Sequence, residues 1–381
     1  MKVQRGFQTE LAPNDVQRTM LLKNAGAARY TYNWGLQQKK LAMDAKTKIP
    51  NNIELHRRLN ALKPSEFPWM YDVSKCAPQE ALRNLDKAFD NFFRKCKLKK
   101  QGKFKGKVGF PRFKSKKKGI GGFRLTGTIK VMTDRIQLPR LGTIRLKERD
   151  YLPTDAKILN ASVRERAGRW YVAVQVEMEM PEPQVKPEAV VGVDLGIKTL
   201  ATCSDSEVFE NPRSLGKNLK RLRRFGRQVS RKEKGSRNRR KAADRLAKFH
   251  KKVSDIRKDV LHKITTQLTK TKSVVVIEDL NVSGMMKNRC LSRAISDVGF
   301  HELRRQLEYK GGWYGCRVIV ADRFFPSSKT CCECGQIRSD LTLSDRVYVC
   351  PCGNEIDRDL NAAINLERYS TVSSTGSYAC G

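Results

Sequence analysis

Residues 347–365 read VYVCPCGNEIDRDLNAAIN. Cys350 and Cys352 look like half of a metal cage, and Asp357 and Asp359 follow a few positions later. A knuckle that runs straight into a carboxylate pair has three readings. The carboxylates help to hold the same metal, or one of them caps the helix that starts at DLNAAIN, or they belong to a separate active site. The rest of the chain has to decide.

The other half of the cage lies upstream. Cys331-x-x-Cys334-Gly and Cys350-x-Cys352-Gly are separated by fifteen residues. Structural Zn²⁺ takes four soft ligands in a tetrahedron, and paired knuckles supply two each. A glycine after the second cysteine of each knuckle lets backbone N–H groups turn toward the thiolates. The second knuckle is C-x-C rather than C-x-x-C, and Cys332 competes with Cys331 for one ligand place. With Cys331, Cys334, Cys350 and Cys352 in reach, the zinc does not need Asp357 or Asp359.

Three acids are notable for their positions. The run AVVGVD, from residue 189, ends its apolar strand at Asp194, and SVVVIE, from residue 273, ends at Glu278. Asp359 opens the helix DLNAAINLERY. A carboxylate at the end of a buried strand is poorly solvated and needs a partner, for which a divalent cation serves. Parallel or mixed strands line up their ends, so Asp194 and Glu278 can meet at one sheet edge. With Asp359 they make a hard oxygen site for Mg²⁺. Two such ions about 3.5–4 Å apart stabilise the attacking and leaving oxygens of a phosphodiester displacement. Each acid has a plainer alternative. Asp359 caps its helix, Asp194 closes a turn before Gly196, and Glu278 pairs with a cation. Asp205, Asp279 and Asp357 are substitutes within the same stretches.

Composition says what such a site acts on. In 381 residues, 77 Lys and Arg face 39 Asp and Glu, a formal charge of +38. That excess implies a polyanionic partner, nucleic acid before an anionic membrane, since no stretch of about 18 apolar residues occurs. The opening MKVQRGFQTELAPND has no apolar signal core, so a cytoplasmic protein is expected. Eleven cysteines, an odd number, argue against a disulfide framework, and four histidines leave few candidates for His-based catalysis.

Such a length predicts two or three domains. Residues 15–42 and PQEALRNLDKAFDNFFRKC have helical spacing. The segment RKCKLKKQGKFKGKVGFPRFKSKKKGIGGFR follows. Its cations, among them Arg112, Lys114, Lys116 and Lys117, are expected to neutralise phosphates, and Phe104, Phe110, Phe113 and Phe123 to stack on bases. From Ile129 to Met180 the period is two, with Trp170, Val172, Val174 and Val176 on one face, which predicts a small antiparallel sheet or barrel. A Pro-rich boundary lies at about 181–188. Residues 213–241 are almost a polycation, and an amphipathic helix then runs to about Thr269.

The motifs VGVDLGIKTLAT, VVVIEDLNVSGM, PSSKTCCECG and CGNEIDRDLNAAINL occur in the order seen in TnpB, the OrfB protein of bacterial insertion sequences. ARYTYNWGL, LRNLDKAFDNFF and GFPRFKSKK resemble its N-terminal half. The resemblance covers about residues 1–369. It implies a multidomain α/β protein with an RNase H-like (RuvC) nuclease domain, an inserted zinc ribbon, an N-terminal helical recognition lobe and a small antiparallel β-barrel, the wedge. The implied divisions are 1–11 and 116–185 for the wedge, 12–115 for the lobe, 186–320 and 355–369 for the nuclease and 321–354 for the ribbon, with a disordered tail at 370–381. The family's first, second and third acids match Asp194, Glu278 and Asp359. Cage and active site then adjoin in sequence but hold different metals, structural Zn²⁺ and a pair of Mg²⁺ ions.

By the same resemblance the chain is a transposon-encoded nuclease, guided by a noncoding RNA, that cuts double-stranded DNA beside a short flanking motif. Lys75 and Gln79 are its candidates for contacting that motif, and it is expected to act as a monomer in a bacterial cytoplasm. A transposase performing strand transfer, an RNA-guided DNA-binding regulator without cleavage and a structure-specific resolvase are the alternatives.

Overall fold

The computed structural model describes residues 1–183, 189–342 and 345–374. They fall into two compact units that meet between Met180 and Pro181, at the Pro-rich segment, of which residues 184–188 lie outside the described residues.

The first unit begins with β1 (Lys2–Ala12) and three helices, α1 (Asp15–Asp44), α2 (Asn52–Leu62) and α3 (Cys76–Lys100). Asn14 starts α1 with a capping box, its side chain accepting from Gln17 N at 2.8 Å while Gln17 bonds back. Val16, in the first turn, is 74% exposed; the buried stripe runs through Leu21, Ala25, Ala28, Tyr32 and Leu36. The strands β2 (Gly122–Leu125), β3 (Lys130–Val131), β4 (Arg135–Leu138), β5 (Gly142–Leu146), β6 (Lys157–Arg166) and β7 (Arg169–Glu179) join β1 in a seven-stranded sheet. Trp170, Val172, Val174 and Val176 of β7 face a core shared with α1 and α3.

The closed barrel does not form. Among the described residues the strand order is β2-β6-β7-β1-β5-β4-β3, and no pairing joins the two ends. Closure needs edge strands that pair along their length, and here the edges are four residues and two residues long. Nor do the aromatics of the basic segment all wait for bases. Phe123 is 5% exposed within the core. Phe110 packs edge-on against Phe89 and Phe92 at 5.4 and 5.2 Å. Phe113, half exposed, is the open ring of the four.

The second unit contains β8 (Val190–Asp194), β9 (Thr199–Cys203), β10 (Val208–Glu210), α4 (Ser214–Ser230), α5 (Arg237–Thr271), β11 (Val274–Glu278), α6 (Val282–Met285), α7 (Ser292–Val298), α8 (Phe300–Tyr314), β12 (Arg317–Ala321), β13 (Val347–Val349), β14 (Glu355–Asp357) and α9 (Arg358–Ser374). Five strands form a sheet in the order β10-β9-β8-β11-β12. The first three are antiparallel, whereas β11 runs parallel to both β8 and β12. Leu261, Ile264 and Leu268 of α5 and Leu303 and Leu307 of α8 cover one face. Leu366 and Tyr369 of α9 cover the other, against Val276 and Ala321. The polycation at 213–241 is helical. It forms α4 and the start of α5, which pack through Leu222, Phe249 and Val253, with the Arg221 guanidinium 4.8 Å from the Phe249 ring centroid. Residues 370–374, expected in a disordered tail, continue α9, since no Gly or Pro stops the helix before Gly376. Residues 375–381 lie outside the described residues. No described helix is long and apolar enough to cross a membrane.

Candidate active site

Two buried strands deliver two of the acids. In the parallel pairing of β8 with β11, Val193 lies beside Ile277, so Asp194 and Glu278 emerge next to each other at the same sheet edge. The third arrives on α9, which crosses β8 at Gly192. A Cβ there would stand 1.9 Å from Ala363 O and 2.4 Å from Glu367 N. Only glycine permits that approach, and the approach carries the first turn of α9, with Asp359, toward the strand ends. Gly192→Ala is therefore expected to cost about 3 kcal/mol or more by forcing helix and strand apart. A urea midpoint close to that of the unmodified chain would refute this account of the packing.

Electrostatics records the convergence. Asp194 is pushed well above the usual carboxylate range, first by burial and then by the charges of Glu278 and Asp359, with Arg358 opposing. Glu278 accepts from Ser327 Oγ at 2.6 Å. Asp359 stands 3.6 Å from the Arg358 guanidinium. The trio is looser than a closed ligand cage: its oxygens are not among the groups that lie within 4.8 Å of one another.

The substitutes are occupied elsewhere. Asp357 accepts from Asp359 N at 2.9 Å and Leu360 N at 3.1 Å. It is the helix cap, which frees Asp359 from that role. Asp279 is bound by Arg304 at 2.7 Å and by Arg323. Asp205 pairs with Lys272 at 2.5 Å. With Cys203 and Glu207 it forms a second close cluster, but Gln267 holds Glu207 and burial pushes the Cys203 thiol up to about 12.

The four cysteines of the two knuckles form a group that can hold a metal ion. Cys331 Sγ lies 3.8 Å from Cys352 Sγ, and Cys334 Sγ 3.5 Å from Cys350 Sγ. Metal–sulfur bonds of about 2.3 Å in a tetrahedron place ligand sulfurs roughly 3.8 Å apart. Gly335 and Gly353 take positive φ, 77° and 94°, and close the two knuckles. Burial pushes the Cys331 thiol up, but N–H groups of Cys334 and Asn354 outweigh it and hold it down to about 6. Of the two competitors, Cys331 lies in this close group and Cys332 does not. Cys332 Sγ shares the Asn354 Nδ2 donor with Cys331 Sγ at 3.4 Å each, but its backbone N–H donates to Asn361 Oδ1 at 2.9 Å and burial raises its thiol. The β13–β14 hairpin carries the second knuckle at its turn and runs directly into α9.

In the first unit Lys75 is exposed just before α3, and Gln79, one turn on, shares its face. Arg112, Lys116 and Lys117 are exposed. Lys114 is tied down. Its backbone is clasped by Asn33 at 2.8 and 2.9 Å, and its ammonium lies 3.8 Å from the Tyr32 ring centroid. Desolvation there, and then the charge of Arg164, lower its pKa.

Three family models match the chain. One described as "Probable transposase" (OrfB_IS605) covers residues 173–289, a "Cas12f1-like, TNB domain" covers 300–366, and a "Helix-turn-helix domain" of OrfB covers 1–48. Residues 1–48 nonetheless form β1 and one uninterrupted helix of 30 residues. A relative from Streptomyces pristinaespiralis, named "Putative RNA-guided DNA endonuclease", is 36% identical over all of this chain and 92% of its own length. InsQ of Escherichia coli K12, named in the same words, is 33% identical over 96% of this chain and 92% of its own. Among solved structures, a Cas12f1–sgRNA–target DNA complex has a protein chain that superposes with a TM-score of 0.57 at 13% identity, covering 96% of this chain and 99% of that one. That likeness is one of mixed α/β fold. Identity of this level along nearly the whole length means that the chain belongs to the OrfB (TnpB) family.

Proposed function

We propose that the chain is an RNA-guided endonuclease of a transposable element that cleaves double-stranded DNA beside a short flanking motif by Mg²⁺-dependent phosphodiester hydrolysis. The observation that carries the reading is the meeting of Asp194, Glu278 and Asp359, from three separate segments, with Asp194 desolvated beside two like charges. Such a set of hard oxygens suits Mg²⁺ or a similar hard divalent cation. The strand order, three antiparallel strands followed by two parallel ones, is that of an RNase H-like domain and supports the RuvC assignment. Asp194 and Glu278 act from rigid strand ends, and Asp359 from a helix start whose cap is supplied by Asp357. Ser327 fixes the Glu278 carboxylate. Bound there, Mg²⁺ would supply a water nucleophile at neutral pH and neutralise charge on the leaving oxygen. The four-cysteine cage would hold structural Zn²⁺ and brace the entry to α9. Guide RNA and target DNA account for the net charge of +38. Lys75 and Gln79, with Arg112, Lys116 and Lys117, are candidates for the nucleic-acid contacts.

The family-model description favours one other reading, a transposase that joins strands with the same acids. The two differ in their need for RNA. Nucleic acid that co-purifies after a high-salt wash and DNase treatment should be extracted and sequenced. One discrete structured RNA ending in a variable segment, able to direct cutting of a matching duplex, is the expected result. Host RNA released by modest salt, with cutting or joining of element ends on bare DNA, would replace the guided nuclease by the transposase.

A further inference from the structure

In the second unit a cavity of about 460 Å³ draws on three segments. Lys198 comes from the turn that follows Asp194, Arg213 from the residue before α4, and Arg293 from α7. All three are exposed, and none forms an ion pair with a described carboxylate.

The walls behind them are locked. Asn211, buried, donates to Ile197 O at 2.6 Å and accepts from Arg213 N at 2.9 Å. Arg213 is held left-handed, φ 45° and ψ 45°, and its guanidinium donates to Lys198 O at 3.3 Å. The one acid in the lining, Asp297, is fully engaged. It accepts from Ser214 Oγ, Leu215 N and Gly216 N at 2.8–3.1 Å and pairs with Arg257 at 2.9 Å. Its charge is spent on the start of α4, so the cavity presents net positive charge from cations on fixed backbone.

Position says what the charge is for. Lys198 lies four residues after Asp194, so their Cα atoms are at most roughly 14 Å apart. Arg293, on α7, lines the same cavity as Lys198. A cavity this small does not admit a duplex, whereas it fits the backbone of one extended strand.

We infer that this cavity binds the sugar–phosphate backbone of the strand being cut, next to the scissile bond, with Lys198 and Arg293 on its phosphates and Arg213 holding the turn that carries Lys198. The inference rests on the nuclease reading and adds the residues that position its substrate. Cations on a locked backbone bind with little loss of backbone freedom, and a phosphate held nearby orients the reacting one. Lys198 and Arg293 are positioning residues, not metal ligands.

The test uses the chain with its co-purified RNA and a six-nucleotide oligothymidylate, which pairs with no guide of mixed sequence. In an Asp194→Asn background, so that the strand survives, its Kd is measured between 50 and 200 mM salt. Lys198→Ala and Arg293→Ala should each raise Kd three- to tenfold and flatten the salt slope by about 0.7, the loss of one single-strand phosphate contact. Lys263→Ala, which removes a charge from an exposed pair with Asp259, should change neither. Photo-crosslinks from 4-thiothymidine should map to residues 196–198 or 290–294. Equal effects from all three substitutions, or crosslinks confined to other segments, overturn the subsite. With Asp194 restored, the same two variants should lower kcat at saturation as well as kcat/KM, because the reacting phosphate is no longer oriented. A chain that binds the strand in this cavity but cuts nothing keeps the subsite and loses the nuclease reading.

Discussion

Asp194→Ala is expected to abolish DNA cleavage, by at least about a thousandfold, or roughly 4 kcal/mol of transition-state stabilisation, while guide-directed DNA binding persists. The residue sits at the end of β8, where no nucleic-acid contact is needed for recognition, and base pairing with the guide reads the target. A rate within a few-fold of the unmodified chain would remove Asp194 from the site. The same residue should show the cost of building the site. Its carboxyl is raised, by burial and then by Glu278 and Asp359. Between the unfolded pKa, near 4, and the higher folded value, the folded state binds more protons than the unfolded one. Stability therefore falls as pH rises through that window. Asp194→Asn should raise the melting temperature of the metal-free protein, more at pH 7 than at pH 4. Adding Mg²⁺ should stabilise the unmodified chain and leave Asp194→Asn nearly unmoved. A metal-free melting curve that sharpens upward with pH at Asp194 would contradict the direction.

The two strands that hold Asp194 and Glu278 were legible because each is a short apolar run that ends in a carboxylate. VVGVD and VVVIE leave few alternatives to buried strands, and parallel pairing then aligns their ends. The two knuckles were equally plain from their spacing. What stayed hidden depends on contacts between distant residues. In DRD either aspartate can cap a helix, and the choice of Asp357 is made by the β14 strand that ends on it. Gly192 reads as a weak point in a strand until Ala363 and Glu367 are seen against it. Period-two patterning announced the strands of the first unit but not that a two-residue β3 leaves their sheet open. Counting phenylalanines in a basic segment says nothing about which rings point inward, and Phe123 and Phe110 do. The helix α2 was missed because NIELHRRLNAL is mostly polar. Its signal was Asn51, whose side chain accepts from Glu54 N at 2.9 Å.

Stripping zinc should silence the nuclease with all three carboxylates intact. The second knuckle, β14 and α9 are one continuous piece of chain, so the cage sets where α9 begins. A second tie runs through buried amides. Asn361, fully buried, accepts from Cys332 N and donates to Thr330 O at 2.7 Å, and Asn365 donates to Ser327 O and Thr330 O at 2.8 and 2.7 Å. Ser327 in turn holds Glu278. Cysteine cage, hairpin, helix and two acids are thus linked by covalent chain and short hydrogen bonds. Structural zinc contributes about 10–16 kcal/mol of apparent binding free energy in isolated peptides, far more than one local hairpin can supply by itself. Native mass spectrometry should find one equivalent of zinc in the unmodified chain and none in Cys331→Ser or Cys350→Ser. Each should also expose residues 331–357 to hydrogen exchange and lower cleavage a hundredfold or more. Cys332→Ser, whose side chain lies outside the four, should keep the metal and most of the rate. Asn361→Leu separates the two ties: zinc should stay bound while cleavage falls, because the cage then no longer holds the helix. Zinc loss from Cys332→Ser with retention in Cys331→Ser would reverse the ligand choice. Full cleavage by zinc-free protein would mean that α9 is held by its packing on β8 at Gly192 alone.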